Sequence, residues 1–142
     1  MPRRASELVS SLPIEVAAGL LAIGFLVASS LGWTVLRDTM QRRAVAVALT
    51  GAQPDIAPAL LRRYGCTGCH TIRGIPGADG KVAAPLSDLR ARVYIGGVLP
   101  NTAENLIAWI ADPPRYSPRT AMPVTGISED EARIVASFLY AE

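Results

Sequence analysis

A 142-residue chain with one histidine and two cysteines has little from which to build a metal centre or a disulfide framework. No segment alternates apolar and polar residues for long enough to make a useful strand, and no repeat recurs, so sheet-based and solenoid folds are not expected. Net positive charge is missing from most of the chain as well. Residues 1–51 carry five Arg against Glu7, Glu15 and Asp38, giving +2, whereas residues 52–142 carry nine basic and nine acidic groups and sum to zero. Without a positive field the second part has nothing to neutralise phosphates, and a nucleic-acid partner is not expected.

What is present is concentrated. Both cysteines and the histidine fall in one pentapeptide, Cys66-Thr67-Gly68-Cys69-His70, the spacing of a c-type haem attachment site. Two thiolates three residues apart on one turn can each form a thioether to a haem vinyl group. The next residue then brings its imidazole beneath the ring to the iron. A thioredoxin-like dithiol would need a strand before the motif and a parallel βαβ setting, and neither is visible. Structural zinc takes four ligands, and Cys66, Cys69 and His70 leave it one short. With both sulfurs taken by haem, no cysteine is left for a structural disulfide.

The second feature is Val16 to Leu36, an uncharged and largely apolar run of 21 residues. As a helix it spans roughly 32 Å, about one bilayer core. A cleavable leader has a shorter apolar stretch closed by small residues, and the nearest such site, Ala44 to Ala48, lies beyond Arg42 and Arg43; a retained anchor is therefore expected. Within the run Gly24, Ala28 and Gly32 fall four apart on one face, a spacing that admits close approach of another membrane helix. Trp33 reads as an interfacial anchor. Basic residues do not orient the span, because Arg3 and Arg4 precede it while Arg37, Arg42 and Arg43 follow.

The chain thus divides into an anchor (1–36), a connector (37–54) and an outer domain (55–142). The connector suits a continued helix, stopped by Gly51 and Pro54. The outer domain reads as short helices. The first runs from Asp55 to Tyr64 on the spacing of Ile56, Leu60, Leu61 and Tyr64, and leads into Cys66. Turn formers from Arg73 to Ser87 exclude regular structure there. A middle helix opens at a capping box over Asn101-Thr102-Ala103-Glu104 and ends at Pro113-Pro114. In the last helix Ser128 caps and Glu131 reaches back, ahead of the stripe Ala132, Val135, Ala136 and Leu139. About 90 residues bury little surface alone, so haem is expected to form much of the core.

With no second histidine, the other axial position of the iron falls to methionine, to another side chain, or stays open. Of three methionines, Met1 lies at the far end of the anchor and Met40 beside the membrane, and only Met122 is in the outer domain, in a loop bounded by Pro118 and Pro123. A thioether there favours ferrous iron and fills the site that oxygen or a substrate would use, which suits electron transfer rather than catalysis.

The segment from Tyr64 onward resembles a class I cytochrome c. Within that class it is similar to small membrane-bound monohaem cytochromes of bacterial respiratory chains, and to the cytochrome c domain fused to the copper-bearing second subunit of some haem-copper oxidases. Beyond the haem motif, the shared stretches are Asn101 to Leu106, Trp109 to Pro113 and Pro118 to Pro123. The resemblance implies an all-α fold wrapped around one covalently bound haem c. It also implies that the Pro85 carbonyl accepts from the outer nitrogen of His70, although the glycine that usually precedes that proline is Ala84 here. Trp109 is implied as a contact of a haem propionate, with Arg92 or Tyr94 doing likewise.

Haem attachment of this type is completed outside the bacterial cytoplasm, so the resemblance implies a single-pass inner-membrane protein with a cytoplasmic N-terminus and a periplasmic haem domain. The expected role is single-electron transfer from a quinol:cytochrome c reductase or similar donor to a terminal oxidase, with no small-molecule substrate and no enzyme activity of its own. Alternatives are a permanent electron-entry subunit of an oxidase or dehydrogenase complex, and a haem sensor or peroxidase with an open iron. Arg62, Arg63, Arg73, Arg115 and Arg119, near the two iron-holding segments, would make a basic rim for acidic partners.

Overall fold

The computed structural model describes residues 13–142; Arg3, Arg4, Glu7 and Met1 lie outside them. The chain divides into two compact units, Met1–Asp38 and Thr39–Glu142. Helix α1, Ile14–Thr50, contributes to both.

In the first unit α1 is apolar on every side, with Leu21 at 76% and Phe25 at 72% exposure. A helix without a polar face cannot lie on an aqueous surface, and lipid is the solvent that suits it. It is the one helix among the described residues long and apolar enough to cross a membrane. Its hydroxyls are satisfied within the helix: Ser30 Oγ donates to Val27 O and Thr34 Oγ1 to Leu31 O. At the end of the apolar run the Arg37 guanidinium lies over the Trp33 ring, 5.0 Å from its centroid.

The second unit begins with the last turns of α1. Ala46 and Thr50 are buried there. Arg133 Nη1 donates to Thr50 O at 3.2 Å, capping one of the carbonyls that a helix end leaves without a partner. Gly51, at φ +74°, then turns the chain out of the helix while its N–H donates to Val47 O. The connector is therefore helical to Thr50, and Arg43 pairs with Asp55 across the turn that follows.

Short helices make up the rest. Helix α2 is Ala57–Arg63, with Pro58 in its first turn. Gly65, at φ +73°, reverses the chain into α3, Cys66–Cys69. A 3₁₀ turn follows at Leu89–Ala91, then α4, Ala103–Ala111; α5, Pro113–Tyr116; and α6, Glu129–Ala141. Helix α6 packs on both α2 and α4. Its buried Val135, Ala136 and Leu139 join Leu60 and Leu61 of α2 and Leu106, Ile107 and Ile110 of α4 in one core.

Two expectations change. The outer domain contains a small antiparallel pair, β1 (Tyr94–Ile95) with β2 (Leu99–Pro100). Two residues per strand are too few to show as alternation, and the turn is made by Gly96 and Gly97, both at positive φ. The middle helix is also capped one residue later than expected. Thr102 Oγ1 accepts from Asn105 N, and Asn101 turns its side chain elsewhere. The cap of α6 is as expected: Ser128 Oγ accepts from Glu131 N while the Glu131 carboxylate accepts from Ser128 N.

Glu131 has a second task. Its carboxylate accepts from Tyr64 OH at 2.7 Å, tying the end of α2 to the start of α6. That hydrogen bond, with those from Ser128, holds the carboxyl below the usual carboxylate range. The same bond, with burial second, holds the phenol above its ordinary value. The lowered Glu131 contributes stability that is present above the ordinary carboxylate range and lost as pH falls through its own pKa. The raised Tyr64 contributes below the ordinary phenol range, and its share is lost as pH rises through its own pKa. Urea unfolding of the full chain in detergent should therefore show a stability plateau between about pH 4 and pH 10. In Tyr64→Phe both flanks of that plateau should flatten; unchanged flanks would remove the bond from the account.

Candidate cofactor site

The Cys66–Cys69 turn is held from both sides. Gly65 gives it its left-handed entry, and His70 N donates to Cys66 O at its exit. Behind it runs the loop to Gly80, joined to the chain by an isolated bridge between Thr71 and Asp79 and by Thr71 Oγ1 donating to Gly80 O. A Cβ on Gly80 would lie 2.6 Å from the Cys69 backbone, so only glycine lets this loop press against the turn. Burial pushes the Cys66 thiol above its ordinary pKa, with Cys69 adding to the shift. Both sulfurs are free of any disulfide.

His70 Nδ1 lies 2.6 Å from a backbone carbonyl, and that carbonyl belongs to Ala84, not to Pro85 as expected. The Pro85 carbonyl instead accepts from Arg92 Nη2, which also donates to Ser87 O. The displacement by one residue has a local reason. Ala83 N donates to Cys69 O and Leu86 N to Thr71 O, and these two bonds pin the segment so that the intervening Ala84 faces the imidazole. Because a carbonyl can only accept, Nδ1 carries the hydrogen, and Nε2 of the neutral ring is left with its lone pair.

Met122 is half-buried against the core, in the non-helical stretch between α5 and α6. Thr120 turns that loop: its N–H donates to Ser117 O, and its Oγ1 accepts from Met122 N. Cys66, Cys69, His70 and Met122 all line one cavity of about 410 Å³, within the usual size range of ligand sites. Its walls are apolar, from Leu61, Leu106, Ile110, Val135 and Leu139. Arg92, Tyr94 and Trp109 also line it, whereas Pro85 does not. Trp109 is 8% exposed and packs against the β-turn.

None of Arg62, Arg63, Arg73, Arg115 and Arg119 lines this cavity. Arg62 donates to the Pro58 and Pro76 carbonyls, Arg63 pairs with Glu131, and Arg73 pairs with Asp88. Arg115 lies over the Tyr116 ring and lines a separate cavity of about 310 Å³, with mixed charge, on the other face of α4. Closeness in sequence to Cys66–His70 thus does not place Arg62, Arg63 and Arg73 in the cavity wall, because each turns to a local carbonyl or carboxylate.

Several lining residues were missed: Ala84, Gly96, Thr120 and Thr125. The pair Gly96-Gly97 between Ile95 and Val98 was a legible turn signal. The others carry no sequence signal.

Part of this chain is similar to a known protein. Over 76 residues it is 34% identical to cytochrome c oxidase subunit 2 of Alkalihalophilus pseudofirmus, covering 52% of this chain and 21% of that protein. The chain therefore spans about a fifth of that relative's length. No protein-family model matches it, and no solved structure matches it.

Gly96 makes the sharpest steric demand at the site. At φ +55°, a Cβ there would stand 2.5 Å from the Trp109 ring. Gly96→Ala should cost about 1–3 kcal/mol, as overpacking does, and move the Trp109 fluorescence maximum. An unperturbed emission and denaturation midpoint would show that the ring is not seated on the turn.

Proposed function

We propose that this chain is a membrane-anchored, single-haem electron-transfer protein of a respiratory oxidase system, with its haem domain on the periplasmic side. The observation that carries the reading is the convergence of Cys66, Cys69, His70 and Met122 on one apolar cavity. The residues fit haem c in three respects. The two thiols lie on one turn at the cavity wall, the imidazole has its outer nitrogen occupied and its other lone pair available, and the walls around them are apolar. Haem c, when bound there, supplies a one-electron iron couple.

The protein's part is to hold and tune. Cys66 and Cys69 would fasten the group, and His70 and Met122 would be the side chains that donate to its iron. Ala84 O orients the imidazole and raises its basicity through Nδ1. The apolar walls disfavour the added charge of the oxidised state, and a thioether donor acts in the same direction. Trp109, Arg92 and Tyr94 are the lining groups with N–H or O–H donors suited to propionates. A bare metal centre has less support, because among the described residues no group of three or more His, Cys, Asp and Glu is gathered to hold an ion.

The likeness to cytochrome c oxidase subunit 2 favours a second form of the same reading, a resident subunit that passes electrons within an oxidase complex. Reduction by a quinol:cytochrome c reductase and oxidation by a terminal oxidase are the proposed steps for a free carrier. Extraction of the native membranes in mild detergent separates the two forms: a resident subunit travels with an oxidase, and a carrier runs alone.

Matured full-length protein should keep its pigment through acid–acetone extraction, and Cys66→Ser with Cys69→Ser should lose it. Ferrous wild-type protein should not bind carbon monoxide. Met122→Ala should bind it and have a lower midpoint potential. Carbon monoxide binding by the untreated wild type would instead favour the sensor or peroxidase reading, and extractable pigment would sink the haem c assignment.

A further inference from the structure

The loop from Ala84 to Arg92 carries the carbonyl that faces His70, and its shape is imposed from outside. In its middle stands Asp88 at φ +54°, the only non-glycine with positive φ among the described residues. Such a backbone state persists only where the surroundings over-determine it. On one side the Arg92 guanidinium donates to the carbonyl of Pro85, which follows Ala84, and to that of Ser87. On the other side stands Asn101. Its Nδ2 donates to Leu89 O at 2.8 Å and to Arg92 O at 2.7 Å, and its backbone N–H donates to Val93 O at 3.0 Å. Its Oδ1 accepts from Tyr140 OH at 2.7 Å.

An amide side chain has two N–H donors and one carbonyl. Asn101 uses all of them, both donors on this loop and the acceptor on α6. Tyr140 is 3% exposed, and burial pushes its phenol up to about 12, so it remains a neutral donor throughout the physiological range. A continuous hydrogen-bonded path therefore runs from α6 through Tyr140 and Asn101 to the Arg92 backbone. From the Arg92 side chain it reaches the carbonyls of Pro85, which adjoins Ala84, and of Ser87. No capping role competes for Asn101, since Thr102 caps α4.

We propose that Asn101 and Tyr140 are positioning residues for His70: anchored on α6, they hold the loop whose Ala84 carbonyl sets the orientation and basicity of the imidazole. The proposal rests on the haem reading, because only a ligating imidazole transmits that orientation to an iron. A slackened loop weakens the Nδ1–H···O bond, leaves Nε2 a poorer donor, and stabilises the ferrous state.

The chain's single histidine makes the test direct. Full-length haem-matured protein in detergent, labelled with 15N-histidine, gives one Nδ1–H signal in the ferrous state. Tyr140→Phe, which keeps the ring and removes the hydroxyl, should exchange that proton with solvent on the order of tenfold faster and raise the midpoint potential. Asn101→Ala should do the same more strongly. Ser128→Ala, which weakens α6 at its other end, should lower the urea midpoint and leave both readouts in place. Unchanged exchange and potential in Tyr140→Phe would overturn the proposal, as would equal changes in Ser128→Ala. Should Asn101→Ala fail to fold, Tyr140→Phe decides alone. Wild-type protein without covalent haem would sink the haem reading and this proposal together; attached haem with an unmoved Nδ1–H sinks the proposal alone.

Discussion

Helix α6 is held at both ends by a buried or half-buried tyrosine bond, and the arrangement of the outer domain depends on those two pins. At its start the Glu131 carboxylate accepts from Tyr64 OH, on the residue that leads out of α2 toward Cys66. Near its end Tyr140 OH donates to Asn101, on the residue that leads into α4. Between them the apolar stripe of α6 packs on α2 and α4 and supplies two walls of the cavity, Val135 and Leu139. Apolar packing alone is non-directional and would let a short helix rotate or slide. A hydrogen bond near each end sets its register, and with it the segments on either side of the cavity.

The polar groups around the site divide the work. Arg62, Arg63 and Arg73 turn to carbonyls and carboxylates, and Arg92 is the arginine that lines the cavity, where it also braces the loop beneath His70. The cavity is consequently apolar. In such surroundings an added charge is costly, which is the physical basis for the tuning proposed for the site. At Gly80 and Gly96 the close approaches let a backbone and a ring occupy space that a methyl group would take.

Much of the molecule was legible without coordinates. The apolar run in α1 announces itself by composition, because 21 uncharged and largely apolar residues are long enough as a helix to cross a bilayer core. The cap of α6 was legible because Ser128 and Glu131 are three residues apart and meet on any helix. At α4 the same reasoning chose the wrong residue. Asn101 and Thr102 are both good caps, and only a partner 39 residues away, Tyr140, drew Asn101 to another use. The hairpin escaped because a strand of two residues has no period.

By itself the sequence determined what is local: the spacing of Cys66, Cys69 and His70, the span, the caps, and the lack of any second histidine. The tertiary structure decided which carbonyl faces the imidazole, which arginine reaches the cavity, and that Met122 shares a cavity with the cysteine motif. These depend on contacts between residues far apart in the chain, where one position of displacement, Ala84 for Pro85, changes the donor's partner. Short-range chemistry follows from covalent spacing; the meeting of distant groups follows from how helices pack, and no local pattern encodes that.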